Sequence, residues 1–109
     1  MRRTLPPLTT LRPFESAARL GSFSAAAEEL ALTQGAVSLQ IRNLKDFLGR
    51  KLFERKVRKV VLTDDGREYY ETCRRALEEL ERVTRRMQGQ DGHTIVTVSA
   101  LPTIATMWL

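Results

Sequence analysis

The chain is poor in the residues that build metal centres, disulfides and membrane spans. Its 109 residues include one cysteine, Cys73, one histidine, His93, and one tryptophan, Trp108. A lone cysteine makes no internal disulfide and no CxxC metal site, which suits a reducing compartment such as the cytoplasm. A histidine with no second His beside it argues against zinc and iron sites of the usual kind. Four Pro and six Gly are too few for a low-complexity linker, and no internal repeat is visible. No apolar run approaches the roughly 20 residues a membrane span needs. The opening MRRTLPPLTTLRPF has two Arg but no long apolar stretch behind them, so it does not read as a secretory signal. Catalytic equipment is also missing. There is no Gly-rich phosphate loop, no His-paired nucleophile and no metal-ligand cluster, and the pairs Glu28/Glu29 and Glu78/Glu79 read as solvent-facing helix residues. Neither an enzyme nor a cofactor is expected.

What is present is enough hydrophobic material, 42%, with 28% charged residues, to fold rather than stay disordered. The net charge is +5 and the pI about 10.0, but the distribution says more than the total. Residues 1–62 carry 12 Lys or Arg against 5 Asp or Glu, whereas residues 63–90 carry 6 against 7. Positive charge thus belongs to the N-terminal half, as expected of a module that binds a polyanion. A basic but inert solvated surface is the competing reading of charge alone.

Helical spacing of Leu8, Leu11, Phe14 and Ala17/Ala18 predicts a first helix over about residues 8–20, capped by Thr9 or Thr10 and ended by Gly21. Ser22 or Ser24 can cap a second helix whose inner face is Phe23, Ala26, Ala27 and Leu30. Thr33 can cap a third, in which Val37, Ile41, Leu44 and Leu48 form the core stripe. The opposite side then holds Gly35, Ser38, Leu39, Arg42 and Asp46, with Gln34 at the tip and Gly49 as the stop. Leu52–Phe53 and Val60–Leu62 read as two short strands around a turn near Val57–Lys59, and residues 50–59 hold six basic residues against Glu54. Thr63 caps a long helix with Asp64 and Asp65 in its first turn, where negative charge complements the helix dipole. From Asp64 to Gln88 it would run roughly 37 Å, too long to bury itself against so small a domain. Tyr70, Cys73, Leu77, Leu80, Thr84 and Met87 alternate by three and four, a coiled-coil seam for which a second copy of the chain is the obvious partner. Beyond Gly89 the β-rich TIVTVS and the apolar ALPTIATMWL look like the opening of a further domain.

The fold expected is mainly α: a winged helix-turn-helix over residues 1–63 with a two-stranded wing, a linker and dimerisation helix over 64–89, and the start of a truncated domain over 90–109. The outward face of the third helix suits base edges, and the basic hairpin suits phosphates. Gln34 offers a bidentate contact to adenine or a phosphate hydrogen bond, or is only a first-turn polar residue. Ser38 is a groove contact or an ordinary exposed serine. Gly35 weakens a helix, which makes sense where backbone comes close to DNA, or is tolerated weak propensity. Arg42 is a phosphate contact or a solvated side chain. Arg55 has a structural alternative, its stem packed on Phe53. Arg58 at the hairpin tip is the best wing contact, with Lys56 and Lys59 as diffuse phosphate neighbours. Cys73 reads as a small seam residue without redox chemistry, since nothing depresses its pKa.

The motifs GSFSAAAEEL, TQGAVSLQI, LxxFLG and LFERKVRKVVLTDDG, with Phe14 in the first helix, resemble the LysR-type family of bacterial transcriptional regulators across residues 8–66. The opening LPPLTTLRPFESAARLGSF is similar to the family's glycine-cleavage-activator branch, and the tail TIVTVSALPT to the first strand of its effector-binding domain. The resemblance implies a homodimer, or a tetramer at full length, on an inverted-repeat operator in double-stranded DNA. The third helix would lie in the major groove and the wing at the backbone or minor groove. The implied DNA-binding residues are Thr33, Gln34, Gly35, Ser38, Leu39, Arg42, Arg55, Lys56, Arg58 and Lys59. It also implies a small-molecule effector acting through the absent domain, RNA polymerase as a further partner, and a place on the bacterial nucleoid. Leu39 stands where many members have a basic or polar residue, and Lys45 where members usually have Glu, which either alters a local ion pair or adds a phosphate contact. Two other functions use the same features: a non-specific architectural nucleic-acid binder, and a helical protein–protein interaction module.

Overall fold

In a computed structural model, residues 4–89 are described. The elements run in the expected order: α1 (Leu11–Leu20), α2 (Phe23–Leu30), α3 (Gln34–Leu48), β1 (Phe53–Lys56), β2 (Lys59–Leu62) and α4 (Asp64–Met87). The strand expected at Thr94–Ser99 and the apolar segment after it lie outside the described residues, as do His93 and Trp108.

The chain divides into two compact units, residues 1–74 and 75–109. The first does not stop at residue 63, the boundary expected from sequence. It takes in the first turns of α4, because Gly66, Tyr69 and Cys73 pack into its interior. Its core is Phe14, Ala17, Ala26, Ala27, Val37, Ile41, Leu44 and Leu52. The alanines on α1 and α2 carry little bulk, so the helices approach closely. Phe14, fully buried, meets Phe53 at 5.6 Å and Tyr69 at 6.0 Å between ring centroids, and Phe53 meets Phe23 at 5.4 Å. These edge-on and tilted contacts are the favoured aromatic geometry. They also pin the base of the wing, which as an isolated two-stranded hairpin would be marginal.

Local chemistry explains the helix ends. Ser22 Oγ accepts from the Ala25 N–H at 3.1 Å and Thr33 Oγ1 from the Ala36 N–H at 3.0 Å. α1 departs from expectation. Leu8–Thr10 form a 3₁₀ turn, and the α-helix begins only at Leu11 with no side-chain cap. The Thr10 hydroxyl donates to the Pro7 carbonyl at 2.7 Å instead, so it is spent on the turn before the helix. Pro13, third in α1, is buried at a position whose N–H has no helical acceptor. α2 ends on Ala31 at φ 58°, a left-handed conformation that costs a residue with a Cβ.

Glu29 is not simply solvent-facing. Its carboxylate accepts from buried Ser16 at 2.7 Å and pairs with Arg19, whose Nε also donates to Glu15 at 2.9 Å. This network clamps α2 onto α1. In the second unit, the described part of α4 carries ion pairs along its own surface, Arg82 with Glu79 at 2.8 Å and Arg85 with Glu81 at 3.1 Å. No helix among the described residues is long and apolar enough to cross a membrane.

Candidate nucleic-acid interface

The buried face of α3, Val37, Ile41 and Leu44, fixes its rotation, and the expected outward residues follow from it. Gln34, Gly35, Leu39 and Arg42 are exposed and Ser38 is half-buried, with Leu39 at 49% exposure despite being apolar. Thr33 Oγ1 accepts from the helix backbone, so its lone pair serves the cap. Ala31, Leu32 and Thr33 bring the chain from α2 to α3 in a short connection, the turn of a helix-turn-helix.

The wing is an antiparallel hairpin in the register Phe53↔Leu62, Glu54↔Val61, Arg55↔Val60, Lys56↔Lys59. Val57 and Arg58 form its two-residue turn, with Arg58 at φ 67° and Val57 87% exposed. Lys56 and Lys59 stand directly opposite each other, an arrangement that destabilises a hairpin on its own. With Arg58 at the tip, three cations crowd one end of the wing. Glu54 relieves only Lys56, at 3.7 Å.

Two depressions join these elements. The smaller, about 240 Å³, brings Gln34 at the tip of α3 and Ser22 and Ser24 at the start of α2 together with Arg55, Lys56, Arg58 and Lys59 of the wing. The larger, about 650 Å³, lies between the flank of α3 (Ser38, Arg42, Lys45) and the segment Lys51–Arg55. Of the residues expected from sequence, Thr33, Gly35 and Leu39 line neither depression. Sequence assigns no site to Lys51 or Ser24; Lys45, whose two sequence readings are an altered ion pair and a phosphate contact, sits seven residues after Ser38 on the same helix flank. Arg55 is exposed and lines both depressions.

Most of the unit's cations without an ion pair lie on this surface, Arg12 and Arg67 being the others among the described residues. Arg42, Lys45, Lys51, Arg55, Arg58 and Lys59 make no ion pair with any described residue, whereas Arg19 and Arg50 are tied to carboxylates, Arg50 to Asp65 at 3.1 Å. Six unneutralised cations on one side of a small unit make a field that attracts a polyanion.

Cys73 corrects the seam expected along α4. It is 6% exposed, and its thiol lies 3.7 Å from the Leu11 carbonyl of the same chain. Burial, with the Glu15 charge adding to it, pushes the thiol up to about 11, so it stays protonated at neutral pH. Cys73 therefore packs in the interior of its own unit. Tyr70 is half-buried, and its hydroxyl is raised by burial and by Glu15. Further along α4, Leu77 is half-buried, while Leu80 and Met87 are 65% and 75% exposed and Thr84 is exposed.

Residues 8–67 match the family described as the bacterial regulatory helix-turn-helix protein, lysR family. The chain belongs to the LysR family. The glycine cleavage system transcriptional activator of Escherichia coli (strain K12) is 47% identical over 109 residues, all of this chain and 36% of that protein. The chain thus spans about a third of the length of this curated LysR relative. Among solved structures, the BenM_DBD/catB site 1 DNA complex has a TM-score of 0.69 at 33% identity, covering 80% of this chain and 98% of that one. The CbnR_DBD–DNA complex has a TM-score of 0.66 at 32% identity, over 77% and 97%. Both solved structures share the fold of this chain.

Proposed function

We propose that this chain is the DNA-binding end of a LysR-type transcriptional regulator. α3 presents its first turns to the major groove, and the wing grips the backbone or minor groove beside it. The observation that carries this reading is the pairing of an outward, uncharged α3 tip with a wing whose cations, Lys56 excepted, make no ion pair with any described residue. The tip is suited to base edges through Gln34, Ser38 and Leu39. The amide of Gln34 can pair with adenine, and Leu39 can touch a thymine methyl but cannot hydrogen-bond a base. Arg42, Arg55, Lys56, Arg58 and Lys59 then act on phosphates, with Gly35 allowing a close backbone approach and Thr33 holding the helix start. Two DNA complexes among the solved relatives support the same reading.

The regulator acts as a homodimer on an inverted repeat, with Leu77, Leu80, Thr84 and Met87 of α4 as the self-complementary stripe and Tyr70 at its margin. A domain beginning near residue 90 would take a small-molecule effector, and tetramer formation and contact with RNA polymerase belong to that full-length protein. Its place is the cytoplasm, on the nucleoid, and it carries no enzymatic activity of its own.

Selection of bound genomic fragments with the purified chain tests this. An inverted repeat should emerge, and Arg58→Ala should lower the salt dependence of binding by about one unit. Equal affinity for selected and random duplexes at physiological salt would instead mark a non-specific architectural binder. A partner that survives nuclease and displaces the self-dimer would mark a protein–protein module.

A further inference from the structure

The larger depression, part of whose lining (Ser38, Arg42 and Arg55) already has a role above, also holds Lys45 and Lys51, which have none. Its floor is apolar, built on Ile41, Leu52 and Phe53, and its two walls are cationic, Arg42 and Lys45 on α3 facing Lys51 and Arg55 on the wing side. Glu54 is the one carboxylate on its rim, and it lies 3.7 Å from Lys56. We propose that this groove is the track of a single DNA strand, with Lys45 and Lys51 as its two phosphate clamps. The proposal rests on the DNA-binding reading and extends it.

The geometry follows from where the two outer elements go. If α3 lies in a major groove and the wing at the adjoining minor groove, the strand separating those grooves must cross between them. The depression of about 650 Å³ is the gap between α3 and the wing. Lys45 is seven residues beyond Ser38, about 10 Å further along the helix axis. A B-DNA major groove is about 8.5 Å deep. With Ser38 at the base edges and the α3 axis rising out of the groove, Lys45 is therefore level with the phosphates at the groove lip. Lys51 stands across the gap, just before Leu52, whose burial at 2% exposure anchors it. An alternation of sugar and phosphate suits an apolar floor between cationic walls. Neither lysine has a carboxylate partner among the described residues to compete for it.

The test uses the purified chain and a duplex recovered by selection with the wild type, titrated by fluorescence anisotropy at about 50 and 200 mM salt. Lys45→Gln and Lys51→Gln should each shrink the affinity lost over that range by about threefold, and the double variant by about tenfold. The preference for the selected duplex over a random one should stay unchanged in all three. Ethylation interference should lose one phosphate per variant, on one strand, between the α3 and wing footprints. Both lysines are exposed, so unaltered circular dichroism melts are expected and make the comparison clean. Wild-type binding with unchanged salt dependence and an unchanged footprint in both variants would overturn the strand track alone. A wild type that selects no duplex would overturn the DNA-binding reading, and the track with it.

Discussion

Gly35 and Gly66 are both helical, yet they lack a side chain for opposite reasons. A Cβ added at Gly35 meets nothing within 4 Å, so nothing in the chain itself calls for a glycine in the first turn of α3. An exposed helical glycine costs about 0.5–1 kcal/mol against alanine. Gly35→Ala should therefore stabilise the domain by up to about that amount in urea unfolding while weakening binding to a selected duplex, because the methyl group would stand where DNA backbone comes close. A variant that gains stability and loses no affinity would remove the need for that approach. At Gly66 a Cβ would lie 2.0 Å from the Leu52 carbonyl oxygen and 2.9 Å from its carbon. Both are backbone, and the same oxygen accepts the Thr63 N–H at 3.0 Å, so neither partner can yield cheaply. Gly66→Ala should destabilise by about 3 kcal/mol, the upper range for overpacking. A loss below about 1 kcal/mol would mean that the junction between wing and α4 is softer than its hydrogen bonds suggest.

Among the elements, the contact of α1 with α2 depends on a titrating group. Arg19 and then Ser16 hold the Glu29 carboxyl below the ordinary 4.5. A carboxylate lowered in the folded state contributes stability that is present above the unfolded value and lost as pH falls through the folded one. Urea unfolding should thus show stability declining below about pH 4.5, and Glu29→Gln should flatten the slope in that acid window while leaving pH 7 DNA contacts in place. An identical acid slope in the variant would assign the loss to other carboxylates. This clamp was hidden in the sequence, where Glu28 and Glu29 look alike. Their difference is set by the angle at which α2 crosses α1, which brings one of them over Ser16. The repeating elements were legible because their signals are local. Ser22, Thr33 and Thr63 cap the helices they precede, and the period of Val37, Ile41 and Leu44 fixes which side of α3 faces out. The wing's paired strands are legible only in part, since Leu52 has the pattern of a strand residue but turns into the core before β1 begins. The burial of Cys73 is hidden in the sequence for the same reason as the clamp at Glu29. A stripe by threes and fours looks the same whether a residue faces its own domain or a second copy.

For the whole molecule, moving Cys73 inward shortens the apolar stripe on α4 to the span from Leu77 to Met87, about 15 Å of helix. Leu80 and Met87 are largely open to solvent, and burying such a side chain fully is worth about 1.5–3 kcal/mol. Leu80 and Met87 on two copies, four side chains in all, offer at most of the order of 10 kcal/mol, and association itself costs about 4–15 kcal/mol. Two chains of net charge +5 also repel each other. The stripe alone therefore supports a weak dimer, and an inverted-repeat duplex should tighten it by supplying counter-charge and holding both copies in register. The purified chain is expected to dimerise in a concentration-dependent manner in sedimentation and to become uniformly dimeric on the repeat. Leu80→Glu puts a charge at the centre of the stripe. It should abolish the free dimer and lower affinity for a two-half-site duplex at least tenfold, while leaving affinity for a single half-site unchanged. A Leu80→Glu chain that still dimerises and binds both half-sites with wild-type affinity would place the dimer contact elsewhere than α4.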